Sequence, residues 1–65
     1  MDRLSIRDIK FELLASYLQG TARTDYSRRG YWANCYGYLN ELKRRGVSLD
    51  NGLIKIHARV STYLA

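Results

Sequence analysis

The chain has 65 residues, a formal net charge of +5, one cysteine and one histidine. A chain of this length forms a single domain, residues 1–65, that removes only about 60% of its unfolded surface from water. The lone cysteine excludes a disulfide framework, and with one histidine it cannot complete a zinc site. Neither a signal peptide nor an apolar run of membrane-spanning length is evident. We expect a cytoplasmic protein in a reducing compartment, with no cofactor, metal or membrane.

The first predicted element is a helix from Ser5 to Gln19. Ser5 has the chemistry of a helix N-cap, and Asp8 follows at the capping-box spacing. Gly20 would end the helix in the left-handed conformation. Two apolar stripes follow the helical period. They are Ile6, Ile9, Leu13 and Tyr17 in one, and Phe11, Leu14 and Leu18 in the other.

The second stripe predicts an interface. The first stripe is sufficient for an intramolecular core, so Phe11, Leu14 and Leu18 would remain uncovered. An exposed apolar patch of this kind usually marks a contact with another chain. We therefore expect a protein interface at these three residues, and either a homo-oligomer or a subunit of a complex.

The middle of the chain predicts a loop over residues 21–29 and a helix over residues 30–45, which Gly46 ends. Core positions of this helix are Trp32, Cys35, Leu39 and Leu42. Gly30 and Gly37 lie on the opposite face. They are either tolerated at a cost of roughly 1 kcal/mol each or permit a close backbone approach.

Residues 47–65 allow two interpretations. As a helix, they place one apolar stripe along Leu53, Ile56, Val60, Tyr63 and Leu64, after a cap at Ser48 or Asp50. As a strand, residues 54–61 alternate, and residues 50–52 would form a hairpin turn. The apolar end of the chain favours the helix. We predict a mainly α, small three-helix unit, with an α+β minimal winged helix with a C-terminal β-hairpin as the alternative.

Two short segments resemble DNA-binding motifs. The stretch LNELKRRGV, followed by DNG and LIKI, resembles the end of the recognition helix and the wing of winged-helix domains. In a helix-turn-helix, Gly30 would be the turn, and residues 31–45 the recognition helix. The stretch LNELKRRGVS with a later YL is similar to the paired helices of ribbon-helix-helix repressors, although RRGYWA does not alternate as their strand does. Neither segment assigns the chain to a family.

The positive charge is concentrated in residues 21–46, which hold six basic and two acidic residues. Arginine and tyrosine are residue types that bind phosphates and partner surfaces. Arg28 and Arg29 lie where the helix dipole disfavours cations, so we expect them to serve a binding function. We predict a small non-catalytic regulator that binds nucleic acid, DNA above all, with an acidic protein surface as the other possible partner. The alternative function is a small adaptor or inhibitor that binds a larger protein or complex through its apolar and tyrosine surface. The predicted nucleic-acid-binding residues are Arg28, Arg29, Tyr31, Lys43, Arg44 and Arg45.

No catalytic site is predicted. Cys35 falls on the apolar arc of the second helix, and His57 borders the apolar stripe of the last segment. A cysteine–histidine dyad would also need an orienting group and an oxyanion site. We therefore interpret both residues as structural, and we do not expect an enzyme.

Overall fold

The computed structural model describes residues 3–65, which form three α-helices. The described part is 76% helical and contains no strand. The predicted mainly α three-helix unit is confirmed, and the hairpin alternative is wrong. The helices are α1 (Ile6–Thr21), α2 (Ser27–Arg44) and α3 (Asn51–Leu64).

The capping residues explain where α1 and α3 begin. The Ser5 hydroxyl accepts a hydrogen bond from the Asp8 amide at 3.1 Å, as predicted. The Asp50 carboxylate accepts one from the Leu53 amide at 2.9 Å and so starts α3 where a hairpin turn was the alternative. A side-chain acceptor at this position satisfies a backbone N–H that has no partner within the helix.

The start of α2 differs from the predicted one. It begins at Ser27, where the Asp25 carboxylate accepts a hydrogen bond from the Ser27 amide at 2.9 Å. Hydrogen bonds from Ser27 also lower the pKa of Asp25. Gly30 therefore lies inside α2, so it is not the turn of a helix-turn-helix. The residues proposed for a wing, 53–56, lie inside α3, which removes the winged-helix resemblance.

Helix α2 is central, because α1 and α3 each pack against it far more extensively than against one another. Four of the eight core side chains come from α2, and the two flanking helices supply two each. Among the described residues, the buried core consists of Ile9, Leu13, Trp32, Cys35, Leu39, Leu42, Leu53 and Val60. No helix within residues 3–65 has the length and apolarity needed to cross a bilayer.

The glycines do not all have the predicted roles. Gly46 has a φ of 78° just after α2, as its predicted stop position requires. Gly20 does not end α1 in a left-handed conformation, since it lies inside the helix and has no positive φ. It is instead the point where Trp32 packs against the α1 backbone. Gly30 and Gly37 have open space around them, so they are tolerated glycines and not sites of close approach.

Candidate nucleic-acid interface

The predicted basic residues lie at the two ends of α2. Arg28 and Arg29 are in its first turn, Lys43 and Arg44 are in its last turn, and Arg45 follows. A helix of 18 residues is about 27 Å long at 1.5 Å per residue. The structure therefore does not bring the two groups together in one patch.

At the carboxyl end of α2, Glu41 holds two of these arginines. Arg44 donates to its carboxylate from Nε at 3.0 Å and from Nη2 at 2.6 Å, and Arg45 donates from Nε at 2.8 Å. These bonds lower the pKa of Glu41 to about 2. Because the carboxylate is favoured in the folded state, the pairs stabilise the fold above the ordinary pKa of 4.5. That contribution is lost as pH falls through about 2.

Arg45 has a structural role in addition. Its Nη1 donates to the Leu4 carbonyl at 2.7 Å and so attaches the end of α2 to the segment before α1. Only 19% of the Arg45 side chain is exposed, against 62% for Arg44. Of the predicted residues at this end, Lys43 and Arg44 are exposed, and Arg44 is paired with Glu41.

Arg28 also has a structural role, which the sequence did not indicate, and its binding role stays a prediction. Its Nε donates to the Gly20 carbonyl at 2.9 Å, and its Nη2 donates to the Thr21 carbonyl at 3.3 Å. These carbonyls belong to the last turn of α1, where helix carbonyls lack partners within the helix and the dipole is negative. The charge of Arg28 is unfavourable at the start of α2, but its side chain caps the carboxyl end of α1. Arg29, by contrast, is exposed to solvent.

The tyrosines around the start of α2 are only partly available to a partner. Tyr31 is half-buried, and the guanidinium carbon of Arg23 lies 5.5 Å from its ring centroid. Tyr26, which was not among the predicted site residues, is 90% exposed. Both rings line a shallow cleft on α2 together with Asn34. The exposed Tyr26 ring suits stacking of a base or contact with a protein, whereas the Tyr31 ring is already in contact with Arg23.

A second cleft, which sequence reasoning missed, lies between α2 and α3 and contains three cationic side chains. Arg28, Lys55 and Arg59 line it, with Trp32 and Tyr63 as its aromatic residues. The guanidinium carbons of Arg28 and Arg59 each lie 5.3 Å from the centroid of the Trp32 ring. The sequence signal was the spacing of Lys55 and Arg59, four residues apart on a helix. Both residues lie outside the basic segment 21–46.

The predicted apolar stripe of α1 is exposed. Phe11, Leu14 and Leu18 are 69%, 44% and 64% exposed. Leu14 also borders an apolar groove between α1 and α3, opposite Leu53 and Ile56. This exposure is what an interface requires, while the interface itself stays a prediction.

Cys35 and His57, the cysteine and the histidine of the chain, both pack against other side chains. Cys35 is buried in the core, and burial raises the pKa of its thiol to about 11. The His57 ring packs beside Tyr36 at a centroid distance of 5.6 Å, and its Nδ1 lies 3.5 Å from the Ser61 hydroxyl. Within residues 3–65, no three His, Cys, Asp or Glu side chains are grouped as a metal site.

No family model, curated protein or solved structure matches this chain. The functional argument therefore depends on the geometry and charge of the chain's own side chains.

Proposed function

We propose that this protein is a small non-catalytic regulator that binds nucleic acid, with duplex DNA as its ligand. One observation carries the proposal: the uneven distribution of charge around the amino-terminal half of α2. Among the described residues, five basic side chains and one acidic side chain gather there. They are Arg23, Arg28, Arg29, Lys55 and Arg59 against Asp25.

The acidic member of this group stays ionised, because hydrogen bonds from Ser27 lower the pKa of Asp25. The Asp25 carboxylate accepts hydrogen bonds from the amide and the hydroxyl of Ser27, the first residue of α2. In the described part of the chain, ion pairs of carboxylates with side-chain cations are found at Glu41 and not at this end. Five basic side chains against one carboxylate leave this end of α2 with an excess of four positive charges, which suits a polyanion.

The dimensions of α2 suit duplex DNA. Its length of about 27 Å exceeds the roughly 12 Å width of the major groove, so cations at its two ends reach phosphates on opposite sides. The phosphate contacts come from Arg29 at one end of α2 and from Lys43 at the other, and both side chains are exposed. Such contacts position a protein on the duplex without reading its sequence.

The test is the salt dependence of binding to duplex DNA. Each phosphate contact contributes about 0.9 to the slope of log K against log salt, because binding releases counterions. We expect Arg29→Ala with Lys43→Ala to reduce the magnitude of the slope by about 2, since neither side chain has a structural partner in the described residues. Arg28 and Arg45 are unsuitable here because their removal would also disturb the fold.

A matched control removes the same charge from α1 and the segment before it. Arg3→Ala with Arg7→Ala lowers the net charge by the same two units, and both residues are exposed. We expect this control to leave the slope nearly unchanged. Absence of binding to duplex at about 50 mM salt, or equal slopes for the two double variants, would refute the proposal.

A second candidate function, a small adaptor or inhibitor that binds a protein, is favoured by the exposed Phe11, Leu14 and Leu18. The same apolar face is a candidate dimer contact. We expect light scattering at tens of micromolar to give the mass of a dimer for the wild type. Phe11→Ser should give a monomer, because this substitution removes the most exposed of the three apolar side chains. Glu12→Ser, at the adjacent exposed position, is the control and should remain dimeric. The interface would be rejected if the wild type is a monomer and if Phe11→Ser changes neither solubility nor partner binding.

A further inference from the structure

The cleft between α2 and α3 has the composition of an anion site. Arg28, Lys55 and Arg59 line one cleft of about 600 Å³, and no acidic side chain is among its lining residues. Small-ligand pockets span roughly 300–1,000 Å³. Like charges that share one cleft repel one another, and an anion bound between them would relieve that repulsion.

Hydrogen bonds and ring contacts hold the two arginines of this cleft in place. Arg28 is fixed by its bonds to the α1 carbonyls, and Arg59 donates from Nη1 to the Tyr17 hydroxyl at 3.0 Å. Trp32 lies beneath both guanidinium groups, stacked on Tyr17 at a centroid distance of 5.5 Å. A guanidinium has five N–H donors, and the bonds within the described structure use two on Arg28 and one on Arg59. Preorganised donors therefore remain for a ligand.

The cleft also offers an aromatic surface. Tyr63 stands edge-on to Trp32 at a centroid distance of 4.9 Å and is 38% exposed. Trp32 is buried beneath it, so Tyr63 is the ring that a ligand can reach. Cations beside an accessible ring form the combination by which proteins hold a phosphate together with its base.

We infer that this cleft binds a nucleotide, with its phosphate between Arg28, Lys55 and Arg59 and its base against Tyr63. The nucleotide is either free or a unit of a nucleic-acid strand. The inference goes beyond the proposed function and does not rest on it, because the bases of a duplex are paired and stacked, so the polymeric source of the base is a single strand. It adds Lys55, Arg59 and Tyr63 to the contact residues and assigns Arg28 a second role beside its cap on α1.

The experiment is a set of titrations followed by amide and side-chain NMR shifts, with inorganic phosphate, adenosine, adenosine monophosphate and a short oligothymidylate as probes. We expect adenosine monophosphate to bind about tenfold or more tightly than inorganic phosphate, because the base adds stacking on Tyr63. Shifts should centre on Lys55, Arg59 and Tyr63. Tighter binding of the oligothymidylate than of the mononucleotide would identify the strand as the source, and the reverse would identify the free nucleotide.

The variant that tests the site is Lys55→Gln with Arg59→Gln. We expect about a tenfold or greater loss of affinity for adenosine monophosphate, since charge-assisted hydrogen bonds are the strong ones. Arg3→Gln with Arg7→Gln removes equal charge away from the cleft and should change affinity little. If the double variant folds poorly, Lys55→Gln alone keeps the Trp32 contacts and should still weaken binding severalfold.

The outcomes separate this inference from the proposed function. Failure of every phosphate probe to bind, or equal affinity in the cleft variant and its control, overturns the cleft. If adenosine monophosphate binds through Lys55 and Arg59 while duplex DNA does not bind at all, the cleft inference is supported and the proposed function is wrong. If duplex binding depends on Arg29 and Lys43 while the affinity for the phosphate probes is the same in the cleft variant and its control, the cleft inference is wrong and the proposed function is retained.

Discussion

Gly20→Ala should destabilise the fold by about 1–3 kcal/mol, the range typical of an overpacked core. A Cβ added at Gly20 would overlap Cδ1 and Nε1 of Trp32. The indole has little room to yield, because it is buried, stacks on Tyr17 and donates from Nε1 to the Tyr17 carbonyl at 3.1 Å. Chemical denaturation followed by far-ultraviolet circular dichroism measures the change.

The matched control for this prediction is Gly37→Ala. Gly37 also lies inside a helix, but a Cβ there meets nothing within 4 Å. We expect this variant to be more stable than the wild type by roughly 0.5–1 kcal/mol, the propensity difference between glycine and alanine. Equal effects of the two substitutions would show that the Trp32 contact does not govern the packing of α1 on α2.

Arg28→Ala should cost about 1.5–3 kcal/mol of stability, the range for a hydrogen bond to a charged group. Its side chain caps the Gly20 and Thr21 carbonyls, and it packs on Trp32 at the same junction. Removing it leaves the last turn of α1 without these donors. Thermal or urea denaturation measures the loss, and amide hydrogen exchange should show faster opening of residues 18–22.

Arg29→Ala is the neighbouring control. Arg29 is exposed, and a cation in the first turn of a helix is opposed by the dipole. We expect a change within about 0.5 kcal/mol, as for most surface substitutions. A loss of stability from Arg29→Ala as large as that from Arg28→Ala would contradict the capping role of Arg28.

The helices of this chain could be predicted from the sequence because their signals are local. Ser5 with Asp8 places the start of α1, and Asp50 is one of two cap candidates for α3, beside Ser48. Gly46 ends α2 with a left-handed residue, which the sequence also indicates. The exposed stripe of α1 follows from periodicity alone, since two stripes on one short helix cannot both face α2.

The roles of Gly20 and Arg28 could not be predicted, because both depend on how α1 meets α2. A glycine after an apolar period resembles a helix terminus, and only the position of Trp32 shows that it is a contact point. An arginine at a helix start has no partner in its own helix, and its structural role depends on the carbonyls of another helix lying beside it. Lys55 and Arg59 likewise share a cleft with Arg28 only because α3 packs against α2.

The burial of Cys35 has a consequence for how unfolding can be followed. Thiol reagents attack the thiolate, and this sulfur is shielded while its pKa is raised to about 11. Alkylation at neutral pH must therefore wait for the core to open. When reclosing is faster than the reagent, the alkylation rate reports the population of opened molecules. Because the chain has a single cysteine, it carries a native kinetic probe of its own opening, with no label to introduce.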